Sequence, residues 1–314
     1  MRAHGGVAPP AGAHGGDGAR LARALGVPVE EVLDLSASLN PVAPDITRAV
    51  AGHLGALHRY PDATLATAAL AATMGVDGDR LVLTNGGAEA IALVAAELSR
   101  GWVDEPDFGL YRRHIPVVER GAPRFRSNPH NPTGRLAGDD ERAGVWDEAF
   151  YPLATGTWTR GDDDAVVVGS LTKLLACPGL RIGYALGRDG AEAQRVARRQ
   201  PAWSVNGLAC AVLPEVLRHI DLRAWADAVA GLRRGLVDLL EGFGLGPLPS
   251  DANWVLVPAA GWIREPLARQ GVLVRDCASF GLEDHVRVAV PDGSGLDRLG
   301  AALQQAVGTD GARP

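Results

Sequence analysis

The basic residues of this chain are almost all arginines. Of its 31 lysines and arginines only Lys173 is a lysine, and it lies in the segment SLTKLLACPGLRIGY among small and apolar neighbours. Arginine stays protonated, whereas the amine of a desolvated lysine can lose its proton and attack a carbonyl carbon to form a Schiff base. A drift of the composition toward arginine would also leave a single lysine, so the surrounding motifs have to decide between these interpretations.

An aldehyde cofactor such as pyridoxal phosphate requires further groups around such a lysine. These are a carboxylate for the ring nitrogen, a donor to the ring oxygen, an aromatic side chain against the ring and an anion site for the phosphate. In VWDEAF, Asp147 ends a short apolar run, which suits a buried carboxylate facing a pyridinium, although a surface Asp-Glu pair is the alternative. In SNPHNPTG, a turn held by prolines presents Asn131, although Asn-Pro is also common in ordinary turns.

The segment TNGGAEAI, residues 84–91, favours a phosphate site. Two glycines lie between a strand and a helix, and the N-terminus of a helix attracts anions, although such turns also carry glycine for purely steric reasons. The candidate phosphate ligands are backbone N–H groups, hydroxyl groups and one guanidinium: Gly87, Ala88, Glu89, Ser170, Thr172 and Arg181.

The elements that would position these residues alternate between strands and helices. Strands are predicted at 80–84, 165–168 and 180–186, with helices at 88–98 and 222–242, which favours an α/β sheet with parallel pairing. Further strands at 253–257, 271–276 and 285–290 predict a smaller α+β unit. The predicted domains are an N-terminal arm with part of the small domain (1–40), a large cofactor-binding domain (41–210) and a small C-terminal domain (211–314).

Composition and charge disfavour several classes of protein. The net charge of −6 provides no basic field for nucleic acid, and no apolar run approaches membrane-spanning length. The Gly- and Pro-rich first residues are unlike a secretory signal, so we expect a cytoplasmic protein. The widely separated Cys177, Cys210 and Cys277 indicate buried thiols rather than a disulfide framework or a metal site.

In this order, the segments NPHNPTG, DEAF and SLTKLLACPGLRIGY resemble the fold-type I pyridoxal-phosphate enzymes, the class I/II aminotransferase superfamily. The resemblance extends from about His14 to the last predicted strand. It implies an α/β, aspartate aminotransferase-like fold with a large cofactor domain and a small C-terminal α+β domain. It also implies that Lys173 forms the Schiff base and moves protons, that Asp147 pairs with the pyridine nitrogen and that Asn131 bonds the ring oxygen.

The same resemblance assigns further residues. Phe108, in DEPDFGLY, matches the aromatic that stacks on the ring. Tyr60, in RYPD, matches a tyrosine that reaches the phosphate in the neighbouring subunit, which implies a homodimer with shared sites; a core or interface aromatic is the alternative. Arg287 matches the distal arginine that binds substrate, and Arg275 matches a second arginine seen where substrates carry a phosphate. Asn40, in SLNP, lines the same pocket, although Asn40 and Arg275 also suit solvated or structural roles.

Three segments distinguish branches of the superfamily. HGGDGARLARALG, LDLSASLNPVAPD and AWSVNGLA resemble L-threonine-O-3-phosphate decarboxylase of the cobalamin pathway, with histidinol-phosphate aminotransferase as the nearest sister. Phe150 also favours the decarboxylase, because the aminotransferase branch usually has tyrosine there. The hypotheses are a decarboxylase of an anionic amino acid, an aminotransferase, and a cofactor-binding protein without turnover.

The chain departs from the superfamily pattern in its large domain. Only residues 135–146 separate NPTG from Asp147, where relatives fit a helix and most of a strand, and 108–127 is likewise short. Ala88 lies where many relatives have a hydroxyl group, which predicts slightly weaker phosphate binding. We therefore expect a sheet that is thinner or differently flanked.

Overall fold

The computed structural model describes residues 6–10 and 15–309. Parts of the predicted N-terminal arm, 1–5 and 11–14, lie outside the described residues. The strands are short and mostly buried: β1 Leu33–Asp34, β2 Leu81–Thr84, β3 Arg100–Val103, β4 Val117–Val118, β5 Arg124–Ser127, β6 Val145–Asp147, β7 Val166–Gly169, β8 Gly183–Leu186, β9 Trp254–Val257, β10 Val272–Leu273, β11 Arg275–Cys277 and β12 Leu282–Ala289.

The α-helices vary from one turn to six. They are α1 Gly18–Leu25, α2 Thr47–Gly52, α3 Thr64–Met74, α4 Gly87–Leu98, α5 Leu110–His114, α6 Tyr151–Thr155, α7 Leu171–Leu174, α8 Gly190–Ala197, α9 Gly207–Val216, α10 Leu222–Gly242, α11 Arg264–Arg269 and α12 Gly293–Thr309. Within the described ranges, no helix is both long and apolar enough to cross a membrane.

The larger of two compact units comprises Val42–Asn131 and Leu136–Asp227. Its sheet has seven strands in the order β2-β8-β7-β6-β5-β3-β4. The prediction of an α/β sheet is confirmed, and the pairs from β7 to β4 are parallel as expected. The prediction of parallel pairing is wrong for β8, which is antiparallel to both neighbours. The short connection 170–182 returns the chain from the carboxyl end of β7 without a crossover helix.

The side chains of this sheet alternate between two hydrophobic cores. On one face Leu83 and Val167 pack into a cluster with α3 and α9, and on the other Val166 and Val168 pack with α4, α5 and α8. A strand that is covered on both faces needs apolar residues at every position, which explains the continuous apolar sequence of β7.

The side chain of Arg160 holds the shortened segment before Asp147 in place. Residues 136–144, all of which the structure describes, form no helix, yet the sheet keeps seven strands. The guanidinium of Arg160 donates to the carbonyl oxygens of four residues of this segment: Ala137, Gly138, Asp139 and Glu141. Arg160 also stacks on Trp146, 5.0 Å from the ring centroid. Arg160 therefore holds this segment against the sheet, and the expectation of a thinner or differently flanked sheet than in relatives stays a prediction.

The smaller unit contains the described residues up to Pro41, Pro132–Arg135 and those from Ala228 onward. Its antiparallel sheet has the order β11-β12-β9, and β1 pairs with β10 in parallel. The single strand predicted over 271–276 is wrong: it divides at Val274, so that β10 and β11 join different sheets. The predicted helix over 222–242 is confirmed as α10.

Candidate active site

Lys173 lies on the short helix α7, directly after β7. Leu171 and Leu174 of the same helix are buried in the core and hold it against the sheet. The helix is also tied to the start of β8, because the backbone N–H of Thr172 donates to the carbonyl of Ile182 at 3.1 Å. The Lys173 side chain is half-buried, with Nζ 5.9 Å from the centroid of the Phe150 ring. The Lys173 amine thus lies near the Phe150 ring, on the helix that follows the carboxyl end of β7.

Asp147 ends β6, the neighbour of β7 in the sheet. One of its carboxylate oxygens accepts a hydrogen bond from the Tyr111 hydroxyl at 2.8 Å, and the other accepts one from the Ala149 N–H at 3.0 Å. Desolvation raises the pKa of the Asp147 carboxyl, and these two bonds lower it. Among the described residues, no lysine or arginine forms an ion pair with Asp147. The Asp147 carboxylate would therefore stabilise a cationic group of a bound ligand.

Tyr111 is a site residue that the sequence analysis missed. It lies on α5, fully buried, and its ring meets that of Phe108 edge to face at a centroid distance of 5.7 Å. Burial raises the pKa of Tyr111, so the hydroxyl stays protonated and acts as a donor to Asp147. The spacing of three residues between Phe108 and Tyr111, one turn of a helix, is the signal that could have identified it.

Replacing Tyr111 with phenylalanine is expected to raise the pKa of Asp147, because a hydrogen bond that lowers it is lost. A carboxylate must be ionised to pair with a protonated ring nitrogen. The acid limb of the pH profile of kcat should therefore move to higher pH, and kcat at neutral pH should fall by about tenfold. Steady-state kinetics between pH 5 and 9 measure both effects. An unchanged acid limb would contradict this role of Tyr111.

Two more of the predicted cofactor residues lie in the same unit. Asn131 is buried, and its backbone N–H donates to the Ser127 hydroxyl at 2.8 Å. Phe108 is half-buried, immediately before the turn that opens α5. Lys173, Asp147, Asn131 and Phe108 all follow strands of one sheet or precede helices that cover it, which is where α/β sheets bind ligands.

The predicted phosphate site is a close approach of three backbone segments. Gly86 has φ +81°, and a Cβ on it would lie 2.4 Å from Nη2 of Arg181. A Cβ on Gly183 would lie 2.5 Å from the backbone nitrogen of Gly87. A side chain at either position would fill the space at the N-terminus of α4. This cradle therefore requires glycine, as an anion site made of backbone N–H groups does.

Individual phosphate ligands differ in how they are placed. The Glu89 N–H donates to the Gly86 carbonyl at 3.1 Å, which leaves Gly87 and Ala88 at the open start of the helix. The Thr172 hydroxyl is buried and donates to the Ile182 carbonyl at 3.3 Å, so it has a structural partner. The phosphate roles of these side chains and N–H groups stay predictions.

Arg181 and Ser170 border the glycine cradle. Arg181 is exposed and has φ +50°, a left-handed conformation that costs about 1 kcal/mol or more outside glycine. The Ser170 hydroxyl would be 3.7 Å from a Cβ on Gly87. A strained arginine whose guanidinium lies against a glycine turn is the arrangement expected of an anion ligand.

These residues fit pyridoxal phosphate on two observations of this structure. The first is the cradle in which a Cβ at Gly183 would collide with the backbone of Gly86 and Gly87, and in which Gly86 itself has a φ of +81°. The second is the buried carboxylate of Asp147, which has hydrogen-bond donors and a raised pKa. The cradle suits the phosphate, Asp147 suits the ring nitrogen, and the Lys173 amine suits the aldehyde.

The predicted substrate residues lie in the smaller unit. Arg275 of β11 and Arg287 of β12 are buried and face each other as register partners. The Arg275 guanidinium lies 4.9 Å from the Phe280 ring centroid, and that of Arg287 lies 4.8 Å from the Trp254 ring centroid. Desolvation lowers the pKa of both arginines, and for Arg287 the charge of Arg275 lowers it further. Two adjacent buried cations favour an anionic ligand.

Asn40 belongs to a loop that is held in place beside this arginine pair. It is buried, and the preceding carbonyls of Ser38 and Leu39 both accept bonds from the Asn253 side-chain amide, at 2.9 and 3.2 Å. The Ser38 hydroxyl accepts a bond from Nη2 of Arg287 at 3.2 Å. Neither Asn253, in NWVLV, nor Ser38, in LSASLNP, is among the residues predicted from the sequence.

Tyr60 is 78% exposed in this chain. Its ring packs against Trp203, itself 63% exposed, with centroids 4.7 Å apart. The alternative interpretation of Tyr60 as a core aromatic is therefore wrong for the chain by itself. The interpretation of Tyr60 as an interface aromatic stays a prediction.

Known proteins resemble this chain over most of its length. Residues 125–303 match the family described as aminotransferase class I and II. Histidinol-phosphate aminotransferase 1 of Dechloromonas aromatica is 30% identical over an alignment 341 residues long. The alignment covers 91% of this chain and 93% of that protein. Threonine-phosphate decarboxylase of Salmonella typhimurium is 31% identical over an alignment 351 residues long. The alignment covers 93% of this chain and 96% of that protein.

Solved structures give the same fold. Histidinol-phosphate aminotransferase from Sinorhizobium meliloti in complex with pyridoxal-5'-phosphate has a TM-score of 0.78 at 19% identity, and the match covers 92% of this chain and 94% of that chain. The implied aspartate aminotransferase-like fold is thereby confirmed. The chain belongs to the class I and II aminotransferases, a family of enzymes that use pyridoxal phosphate.

Proposed function

We propose that this enzyme decarboxylates an amino acid that carries a second anionic group, as L-threonine O-3-phosphate does. The observation that supports the proposal is the buried pair Arg275 and Arg287, each with its pKa lowered by desolvation. Two neighbouring guanidinium groups suit a substrate with two anionic groups, here an α-carboxylate and a phosphate. Decarboxylation of this substrate would place the enzyme in cobalamin synthesis.

The residues of this chain have separate roles in the proposed reaction. When bound, pyridoxal phosphate supplies an aldehyde for the substrate amine and an electron sink for the bond that breaks. Asp147, with Tyr111 as its donor, would keep the ring nitrogen protonated. Asn131 would donate to the ring oxygen, and Phe108 would pack against the ring. Lys173 Nζ would hold the aldehyde and would carry a proton to or from the substrate Cα.

The arginines would decide which bond breaks. Arg287 and Arg275 would orient the substrate so that either its Cα–carboxylate bond or its Cα–H bond is placed to break. In the first case carbon dioxide would leave and Lys173 would return a proton to the Cα. In the second case Lys173 would take the Cα proton and transamination would follow. A rotation about one bond of the substrate would thus separate the two activities.

Transamination of a phosphorylated amine is the second candidate function. The 30% identity with a histidinol-phosphate aminotransferase favours it. Two features favour decarboxylation: histidinol phosphate carries no carboxylate for the second arginine, and Phe150, near Lys173, lacks the hydroxyl group usual in that branch.

Product analysis separates these candidates. Protein loaded with pyridoxal phosphate is incubated with L-threonine O-3-phosphate, with and without a keto acid, and the products are identified by mass spectrometry. Aminopropanol phosphate formed without the keto acid supports decarboxylation. A keto product that requires the acceptor supports the aminotransferase. The matched control is Lys173→Ala protein, which should form neither product.

We also propose a homodimer in which the aromatic pair Tyr60 and Trp203 contacts the second copy. Replacing Trp203 with serine is expected to raise the dimer dissociation constant by about thirtyfold, because a buried interface tryptophan contributes roughly 2 kcal/mol or more. Sedimentation velocity over a range of concentrations measures this. The control is Leu248→Ser, which removes another exposed apolar side chain, 40% exposed, from the smaller unit. Equal effects of both substitutions would contradict the assigned surface.

A further inference from the structure

A buried carboxylate outside the set considered so far connects two of the proposed cofactor residues. Asp107 is 2% exposed and precedes Phe108 directly. One of its oxygens, Oδ1, accepts the Phe108 N–H at 2.7 Å and the Ser127 hydroxyl at 2.5 Å. The other oxygen accepts the Ser127 N–H at 3.1 Å. Three donors thus converge on one carboxylate.

The Ser127 hydroxyl also connects Asp107 to the NPHN turn. It accepts the backbone N–H of Asn131 at 2.8 Å, so its own hydrogen is directed to Asp107. Ser127 is the last residue of β5, and the Asn128 N–H after it donates to the carbonyl of Asp147 at 2.8 Å. A continuous path of buried hydrogen bonds therefore runs from the loop before α5 to the turn that carries Asn131.

Burial of this carboxylate is costly. Desolvation raises the pKa of Asp107 to about 7, against the three hydrogen bonds and the charge of Arg126, which lower it. A neutral side chain could hold the loop to β5 without that cost. The two oxygens of Asp107 accept three donors, whereas an asparagine would place an NH2 group against one of those donors.

We propose that Asp107 is a positioning residue for the cofactor ring. Through the Phe108 N–H it sets the place of the aromatic that covers the ring, and through Ser127 it sets the place of Asn131, the donor to the ring oxygen. The inference rests on the proposed cofactor roles of Phe108 and Asn131. One buried carboxylate then couples the two contacts, so that loosening either end affects both.

The test is a double-mutant cycle on cofactor affinity. Asp107→Asn keeps the size of the side chain but places an amide against the Ser127 N–H. We expect it to raise the Kd for pyridoxal phosphate by about tenfold and to alter the circular dichroism of the bound cofactor band, which reports the orientation of the ring. In an Asn131→Ala background the effect of Asp107→Asn should be smaller by at least about threefold.

Controls separate this inference from the proposed site. Asp163→Asn, on an exposed residue, should leave both the Kd and the dichroism unchanged. If Phe108→Ala and Asn131→Ala also leave the Kd unchanged, the proposed site is wrong. If those two variants weaken binding while Asp107→Asn does not, or if the cycle is additive, only the role of Asp107 is wrong.

A second variant covers the case in which Asp107→Asn does not fold. Ser127→Ala removes the hydroxyl that joins Asp107 to Asn131 but keeps the bonds from Asp107 to two backbone N–H groups. We expect it to raise the Kd for pyridoxal phosphate by severalfold and to alter the dichroism in the same sense. A Ser127→Ala protein with wild-type affinity and dichroism would overturn the proposal.

Discussion

Protein with alanine in place of Lys173 is expected to lose turnover by on the order of 10⁴-fold or more. The side chain is the only lysine amine in the chain, and we propose that it both holds the cofactor aldehyde and moves the proton at the substrate Cα. No arginine can replace it, because a guanidinium does not lose its proton near neutral pH. Lys173→Arg, which keeps the charge and much of the length, should therefore be as inactive as the alanine variant.

Two measurements test this role. Product formation under saturating pyridoxal phosphate gives the loss of turnover, with Arg198→Ala as a control that removes an exposed cation. Borohydride reduction of the loaded wild-type protein, followed by peptide mapping, should place the cofactor on the peptide that contains Lys173. Full turnover in Lys173→Ala, or a label on another peptide, would contradict the proposed mechanism.

The second large effect is expected from Asp147→Asn, with a fall in kcat of roughly 10²- to 10³-fold. The amide cannot keep the ring nitrogen protonated, so the ring withdraws electrons less strongly when the substrate bond breaks. The cradle of Gly86 and Gly183 stays intact, so the cofactor should still bind, although more weakly. The loss should therefore appear mainly in kcat rather than in KM.

The pH dependence gives an independent check on Asp147. Burial raises its pKa, so in the wild type lowering the pH through that pKa protonates the carboxylate and should reduce kcat. The asparagine variant has no such group and should lack this acid limb. Asp163→Asn is the matched control because the same chemical change is made on an exposed residue. An Asp147→Asn protein with wild-type kcat would contradict the pairing with the ring nitrogen.

The local sequence was sufficient to predict several of the strands, the helices α4 and α10 and the main cofactor candidates. Strand β7 and helix α4 were predicted to within one residue at each end. A continuous apolar run and a Gly-Gly turn determine the conformation of residues next to them in the sequence, so no distant contact was needed. Lys173 stood out by its chemistry alone. The family was predictable because three motifs occur in the order that it requires, and the comparisons confirm it.

Other features depend on residues far apart in the chain, so only the tertiary structure decided them. The antiparallel direction of β8 follows from how the 170–182 connection folds back on the sheet. The bond from Tyr111 to Asp147 joins residues 36 apart, and the two bonds between Asp107 and Ser127 join residues 20 apart. The local sequence of one segment does not specify its partner in such a contact.

The sequence by itself therefore determined which functional groups are available for chemistry, because the type of each residue fixes the group that it can offer. The tertiary structure decided which of them have partners. It paired the Thr172 hydroxyl with a carbonyl, gave the Asp147 carboxylate two donors but no basic ion-pair partner among the residues that the structure describes, and set Arg275 opposite Arg287. The physical reason is that burial and hydrogen bonding, which set the pKa and position of each group, arise only when distant segments pack together.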